Sequence, residues 1–137
     1  MGTSALEEER LSYFFKDRLT KLYNEDYFTM TINGRSRHTK PNTVTMISLV
    51  DFHRYNKAYG WEKGNELISR FAEYLSQKLP QQLIFRVWGD RFVIADYAEE
   101  IELLLSESPL VEEGVATKIK VISMITDNLE DIMRDKG

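Results

Sequence analysis

Residues 83–95 read "LIFRVWGDRFVIA", two apolar runs rich in branched and aromatic side chains on either side of a Gly-Asp-Arg turn. Such a layout predicts a β-hairpin with a carboxylate at its tip, a place where metal or phosphate is often held. "TVTMISLV", residues 43–50, is a nearly continuous β-branched run and predicts a strand covered on both faces. "EKGNELISRFAEYLSQKL" sets Leu67, Ile68, Phe71, Ala72, Leu75 and Leu79 on one stripe. That stripe predicts a helix packed on the sheet and ended by Pro80.

The other segments complete the layers. "LEEERLSYFFKDRL" spaces Leu6, Leu11, Phe14, Phe15 and Leu19 as an incoming helix, with acidic residues where the helix dipole favours them. Asn24 is a good N-cap for a second helix through "EDYFTMTI". The cationic loop "NGRSRHTKPN" is either a solvated connection or a phosphate-steering patch. "DFHRYNKAYG" predicts a short helix stopped by Gly60. After the hairpin come an acidic amphipathic helix, "AEEIELLLSES", a strand, "ATKIKVISMI", and a short terminal helix starting at Asp127 or Asn128. The order α-α-β-α-α-β-β-α-β-α predicts an α/β fold of the α+β sandwich kind, helices on a central sheet.

Bulk properties bound the function. At 137 residues the chain is long enough for one domain with a real core. Eighteen basic against 22 acidic residues, a formal charge of −4, argue against a nucleic-acid binder. No basic amphipathic helix suits a membrane surface, and no apolar run approaches the roughly 20 residues that span a bilayer. With no cysteine, disulfides, thiolate metal sites and cysteine nucleophiles are excluded, and His38 and His53 alone make no zinc cluster. "MGTSALEEER" is polar and acidic where a secretory leader is basic and then apolar, so a cytoplasmic location is expected.

Three separated segments resemble, in order, the motifs of diguanylate cyclase (GGDEF) domains. "DRLTKLYN" resembles D-x-L-T-G-L-x-N, with Lys21 in place of glycine. "FHRYNKAYGWEKGN" resembles F-K-x-I-N-D-x-Y-G-H-x-x-G-D, keeping Phe52, Asn56, Tyr59, Gly60 and Gly64. "RVWGDRF" resembles R-x-G-G-D/E-E-F, keeping Arg86, Gly89, Asp90 and Phe92. The resemblance implies a nucleotide-cyclase-like, mostly antiparallel sheet surrounded by helices. It divides the chain into an incoming signalling helix, residues 1–16, and a degenerate GGDEF domain, residues 17–137.

In that family two GTP-loaded domains meet, and each 3′-hydroxyl attacks the partner's α-phosphate to give cyclic di-GMP. The resemblance implies a chemistry of positioning and positive charge, with two divalent ions held by carboxylates. Here the first-strand carboxylates fall at Ser48 and Val50, Trp88 replaces the first signature glycine, and Arg91 replaces the acidic fourth residue. Asp90 is the one retained candidate ligand, so no metal is expected. A cation about 5 Å from a dication is repelled by roughly 6–7 kcal/mol at an effective dielectric of ~20.

Guanine recognition would fall to Asn56 and Asn65, and a phosphate contact to His53, each with an ordinary structural alternative. Asp51 could stand in for the lost carboxylate only if the strand end shifted. Arg91 would either pair with Asp90 or reach a phosphate in place of a metal. The family's product-inhibition motif, R-x-x-D, falls on "LPQQ", residues 79–82, so cyclic di-GMP is not expected there.

The leading expectation is a catalytically inactive regulatory or dimerising module that works with other domains of a longer protein, a protein partner or a second copy. The alternative is a sensor that still binds GTP or a related guanine nucleotide, with Mg²⁺ entering only alongside it. A working cyclase with substituted ligands is a third expectation.

Overall fold

The computed structural model describes residues 4–96 and 99–124. Strands β1 (Thr43–Leu49), β2 (Ile84–Val87), β3 (Arg91–Ala95) and β4 (Thr117–Ser123) form one sheet in the order β2-β3-β1-β4. Its three ladders are all antiparallel. Central β1 is buried except at Thr43 and Ser48, which is why it carries no charged residue and does not alternate between apolar and charged positions.

Side chains that alternate across the strands feed two cores. Ile47, Leu49, Phe92 and Ile94 face helices α3 (Phe52–Tyr59) and α4 (Trp61–Lys78), whose Phe52, Leu67, Phe71 and Leu75 complete one core. Phe71 and Phe92 meet edge to face with ring centroids 5.0 Å apart, a pairing that adds about 0.5–1.5 kcal/mol to the area they bury. Val44, Met46, Phe85 and Val93 face the other way, onto Tyr27, Phe28 and Ile32 of α2 (Glu25–Ile32).

Asn24 caps α2 as its sequence position predicts. Its Oδ1 accepts the Tyr27 N–H at 3.0 Å, and its Nδ2 donates to the Phe14 carbonyl at 2.9 Å. Helix α1 (Ser4–Phe15) stops short of Leu19, the last residue of its apolar pattern. The chain turns instead into a small ribbon: Lys16 bridges Tyr23, and Tyr23 bridges Phe85 of β2. Tyr23 N–H donates to the Ile84 carbonyl and its own carbonyl accepts from Arg86 N–H. Leu19 still reaches the core from this turn.

The acidic helix also departs from its sequence pattern. Helix α5 (Ile101–Ser106) begins after Glu100, whose φ of 55° is left-handed and cannot continue a helix. A further short helix, α6 (Pro109–Glu112), starts on Pro109, a residue preorganised for the first helical position. The terminal helix expected from Asp127 or Asn128 lies outside the described residues. No described helix is long and apolar enough to cross a membrane.

Candidate functional site

Arg86 sets the frame of the hairpin. Its Nε donates to the Gly89 carbonyl at 2.9 Å, and its NH1 lies 3.1 Å from Asp17 Oδ2. Asp17 also accepts from the Thr20 amide at 2.9 Å and the Thr20 hydroxyl at 2.8 Å. Burial alone would raise the Asp17 pKa. The Thr20 bonds and the Arg86 charge outweigh it and hold the carboxyl below its ordinary value. The opening motif and the hairpin signature are thus one hydrogen-bonded unit.

The tip keeps a glycine-like backbone with different side chains. Trp88 has a φ of 50° and Gly89 a φ of 78°; the left-handed region costs a non-glycine residue roughly 1–2 kcal/mol. Trp88 N–H donates to Glu25 Oε1 of α2 at 3.2 Å, which offsets that strain. The Asp90 carbonyl accepts Leu49 N–H at 3.0 Å, so the tip sits against the end of β1.

Arg91 is 6% exposed, and its guanidinium carbon lies 5.2 Å from the centre of the Trp88 ring. The sequence left pairing with Asp90 and reach toward a phosphate as the two options for Arg91; the guanidinium lies against the Trp88 ring at the hairpin tip. Arg91 faces inward because it shares the sheet face of Val93 and Ala95, and a strand residue cannot change face without a slip in register.

Register adds a feature that the local sequence does not contain. Ser48 pairs with Arg91 of β3 on one side and with Lys118 of β4 on the other. Paired residues share a face, so the position of the family's first-strand carboxylate is a hydroxyl between two cationic residues. Val50, the second carboxylate position, is 42% exposed and apolar. Asp51 takes a left-handed φ of 54° at the start of α3, and its side chain makes no capping bond. These residues do not fit a pair of Mg²⁺ ions: of the family's carboxylate positions only Asp90 is acidic, while Ser48 is a hydroxyl, Val50 is apolar and Arg91 is a cation.

The remaining candidates lie on α3 and α4. Asn56 is half-buried, and its Oδ1 is inaccessible with no hydrogen-bond partner among the described residues. It packs on Gly64 of α4, where an added methyl would run into Oδ1 and lie 3.5 Å from Phe52 Cζ. His53 and Asn65 are both exposed. The fold therefore gathers Ser48, Asp90 and Arg91 at the hairpin tip and fixes Asn56 against α4.

Gly64→Ala should push the Asn56 amide aside. The expected net cost is about 1 kcal/mol in urea unfolding, overpacking offset in part by alanine's better helix propensity. It should also shift the Asn56 side-chain amide resonances. Unchanged resonances and stability would mean that Asn56 is not held against Gly64.

Comparison with known proteins agrees with this architecture. Residues 14–129 match the family model described as "Diguanylate cyclase, GGDEF domain", and the chain belongs to the GGDEF domain family. Over 109 residues it is 22% identical to the uncharacterized protein YtrP of Bacillus subtilis (strain 168), a match covering 79% of this chain and 17% of that protein. The chain thus spans less than a fifth of that relative's length.

Among solved structures it resembles a diguanylate cyclase/phosphodiesterase from Caldicellulosiruptor saccharolyticus. The TM-score is 0.65 at 22% identity, covering 94% of this chain and 83% of that one. It also resembles Vibrio cholerae LapD S helix-GGDEF-EAL bound to c-di-GMP, with a TM-score of 0.69 at 18% identity over 96% of this chain and 35% of that one. A third is diguanylate cyclase SiaD in complex with its activator SiaC from Pseudomonas aeruginosa, at a TM-score of 0.64 and 14% identity, covering 97% of this chain and 59% of that one.

Proposed function

We propose that this chain is a catalytically inactive GGDEF domain serving as a regulatory or dimerising module in a cyclic di-GMP signalling protein. The observation that carries the reading is the row Arg91, Ser48 and Lys118. Phosphoryl transfer needs dications to bridge and neutralise phosphate oxygens, and here a hydroxyl and a cation, Ser48 and Arg91, stand where the family's pattern has carboxylates, with Lys118 beside Ser48. The burial of Arg91 supports the reading further, since its guanidinium lies against the Trp88 ring and is only 6% exposed. LapD, described as an S helix-GGDEF-EAL chain, and SiaD, described in complex with an activator, support partners of the same kind here: other domains, a protein partner or a second copy.

Incubating the chain with GTP and Mg²⁺ and separating the products by chromatography should yield no cyclic di-GMP; product that disappears in Asn56→Ala would overturn the reading. A second reading, a guanine-nucleotide sensor, is supported by the Asn56 side-chain oxygen, which has no partner among the described residues and would meet a guanine by turning out from Gly64. Isothermal titration of GTP, with Mg²⁺ and again with EDTA, tests it. Heat abolished by Asn56→Ala supports the sensor, and silence in both conditions removes it.

A further inference from the structure

Between α3 and the turn that joins α6 to β4 lies a cavity of about 340 Å³, bounded by Asp51, Arg54, Tyr55 and Tyr59 on one side and by Glu113 and Val115 on the other. Its size falls within the roughly 300–1,000 Å³ of small-molecule sites. Tyr55 is 8% exposed, and its hydroxyl donates to Glu113 Oε1 at 2.9 Å. That bond holds the carboxylate beside the ring. Four residues further along α3, Tyr59 sets its ring 4.8 Å from that of Tyr55, centre to centre, at an angle of 47°. Tyr59 is 62% exposed, so its ring is open to a ligand. Helical spacing puts both tyrosines on one face of α3, while Asn56 turns to Gly64 of α4.

Charge at the cavity is unbalanced. Among the described residues of its wall, Asp51 and Glu113 bring two carboxylates against the guanidinium of Arg54, and none of the three forms an ion pair. Asp51 makes no capping bond to α3. Glu113 gives one oxygen to Tyr55 and keeps acceptor capacity on the other. Carboxylates alone would stay hydrated, but the tyrosine rings beside them add a negative π surface and an apolar bed for a hydrocarbon chain. A cation with N–H donors on an alkyl stem uses both features, whereas an inorganic ion uses only the carboxylates.

We infer that this cavity binds a primary alkylammonium group, free as a small amine or as the end of a lysine side chain, with the nitrogen donating to Glu113 and the stem lying over Tyr59. Tyr55 is a positioning residue: it holds the Glu113 carboxylate and backs the Tyr59 ring. The site takes a cation where the nucleotide candidates would take an anion. Its occupant ties α3 to the turn before β4, adding to the Tyr55–Glu113 bond. Arg54 is the opposing charge at the wall, and its removal favours the ligand.

The test is a ¹⁵N-resolved NMR titration of the chain with butylamine and, separately, Nα-acetyl-lysine methylamide, monocations with the same alkyl stem, at neutral pH and low ionic strength with sodium chloride as the control. Saturable shifts at Tyr55, Tyr59 and Glu113 are expected at millimolar amine. Glu113→Gln should weaken binding about fivefold, the loss of one exposed ion pair, and Tyr59→Leu by a similar factor. Glutamine still accepts the Tyr55 hydroxyl, and leucine keeps an apolar side chain at an exposed position, so neither effect is one of misfolding. Arg54→Ala should tighten binding. Equal affinity for the two probes identifies the alkylammonium as sufficient, and tighter binding of the lysine derivative assigns the site to a protein partner's lysine. Absence of saturable shifts, equal shifts with sodium chloride, or affinity unchanged in Glu113→Gln or in Tyr59→Leu overturns the inference.

Discussion

Arg91→Glu, which restores the acidic residue of the family's signature, should destabilise the chain by about 3 kcal/mol or more and give no cyclase activity. Arg91 is 6% exposed on the sheet face that also carries Val93 and Phe85. A carboxylate there must leave water without its guanidinium predecessor's contact with the Trp88 ring. Breaking a buried charged arrangement by altering one member typically costs about 3–5 kcal/mol. Trp88, left in a strained backbone with its ring uncovered, loses what held it. Urea unfolding should show a lower midpoint at unchanged slope. Arg91→Met, of similar length and uncharged, should lose less. A glutamate variant as stable as the parent would show that the tip does not depend on Arg91 burial.

Arg86→Ala is expected to cost about 2 kcal/mol, less than the roughly 3–5 kcal/mol of a fully buried pair because the pair is only partly buried and Asp17 keeps both Thr20 bonds. The substitution also removes the bond to the Gly89 carbonyl, so the hairpin tip loosens along with the opening turn. The pH dependence carries a sign. The Asp17 carboxyl has a folded pKa below its unfolded value of about 3.9. Its contribution is fully present above that value and is lost as pH falls through the lower, folded one. Stability measured from about pH 4 downward should therefore fall more steeply in the parent than in Arg86→Ala, where less depression remains to be lost. Parallel curves would assign the depression to Thr20 alone.

Periodicity made the sheet and its main helix legible. β1, the hairpin and the α4 stripe are long, strongly patterned segments, and the capping asparagine of α2 announces itself locally. The start of α5 was not legible, because nothing in "AEEIELLL" marks Glu100 as left-handed. At the site, motif spacing identified the substituted positions Ser48, Val50, Trp88 and Arg91. It could not supply their surroundings. Lys118 reaches Ser48 only through the β1–β4 register, and Glu25 reaches Trp88 across 63 positions. Asp17 and Arg86 each stood out as motif residues, yet their union over 69 positions is a property of the folded chain. Lys21 carried a usable signal, a lysine where the pattern has glycine, and its left-handed φ is the conformation that signal implied.

The ribbon between Lys16 and Tyr23 has a further consequence, for aggregation. An unpaired strand edge recruits other chains through its open N–H and carbonyl groups. Tyr23 occupies those groups at Ile84 and Arg86, so β2 offers little free edge to a neighbour. At the opposite border β4 carries Lys118 and Lys120, charges that natural sheets use to discourage end-on pairing. A loss of order in the opening turn would uncover the apolar "LIFRV" segment, and self-association would begin at β2.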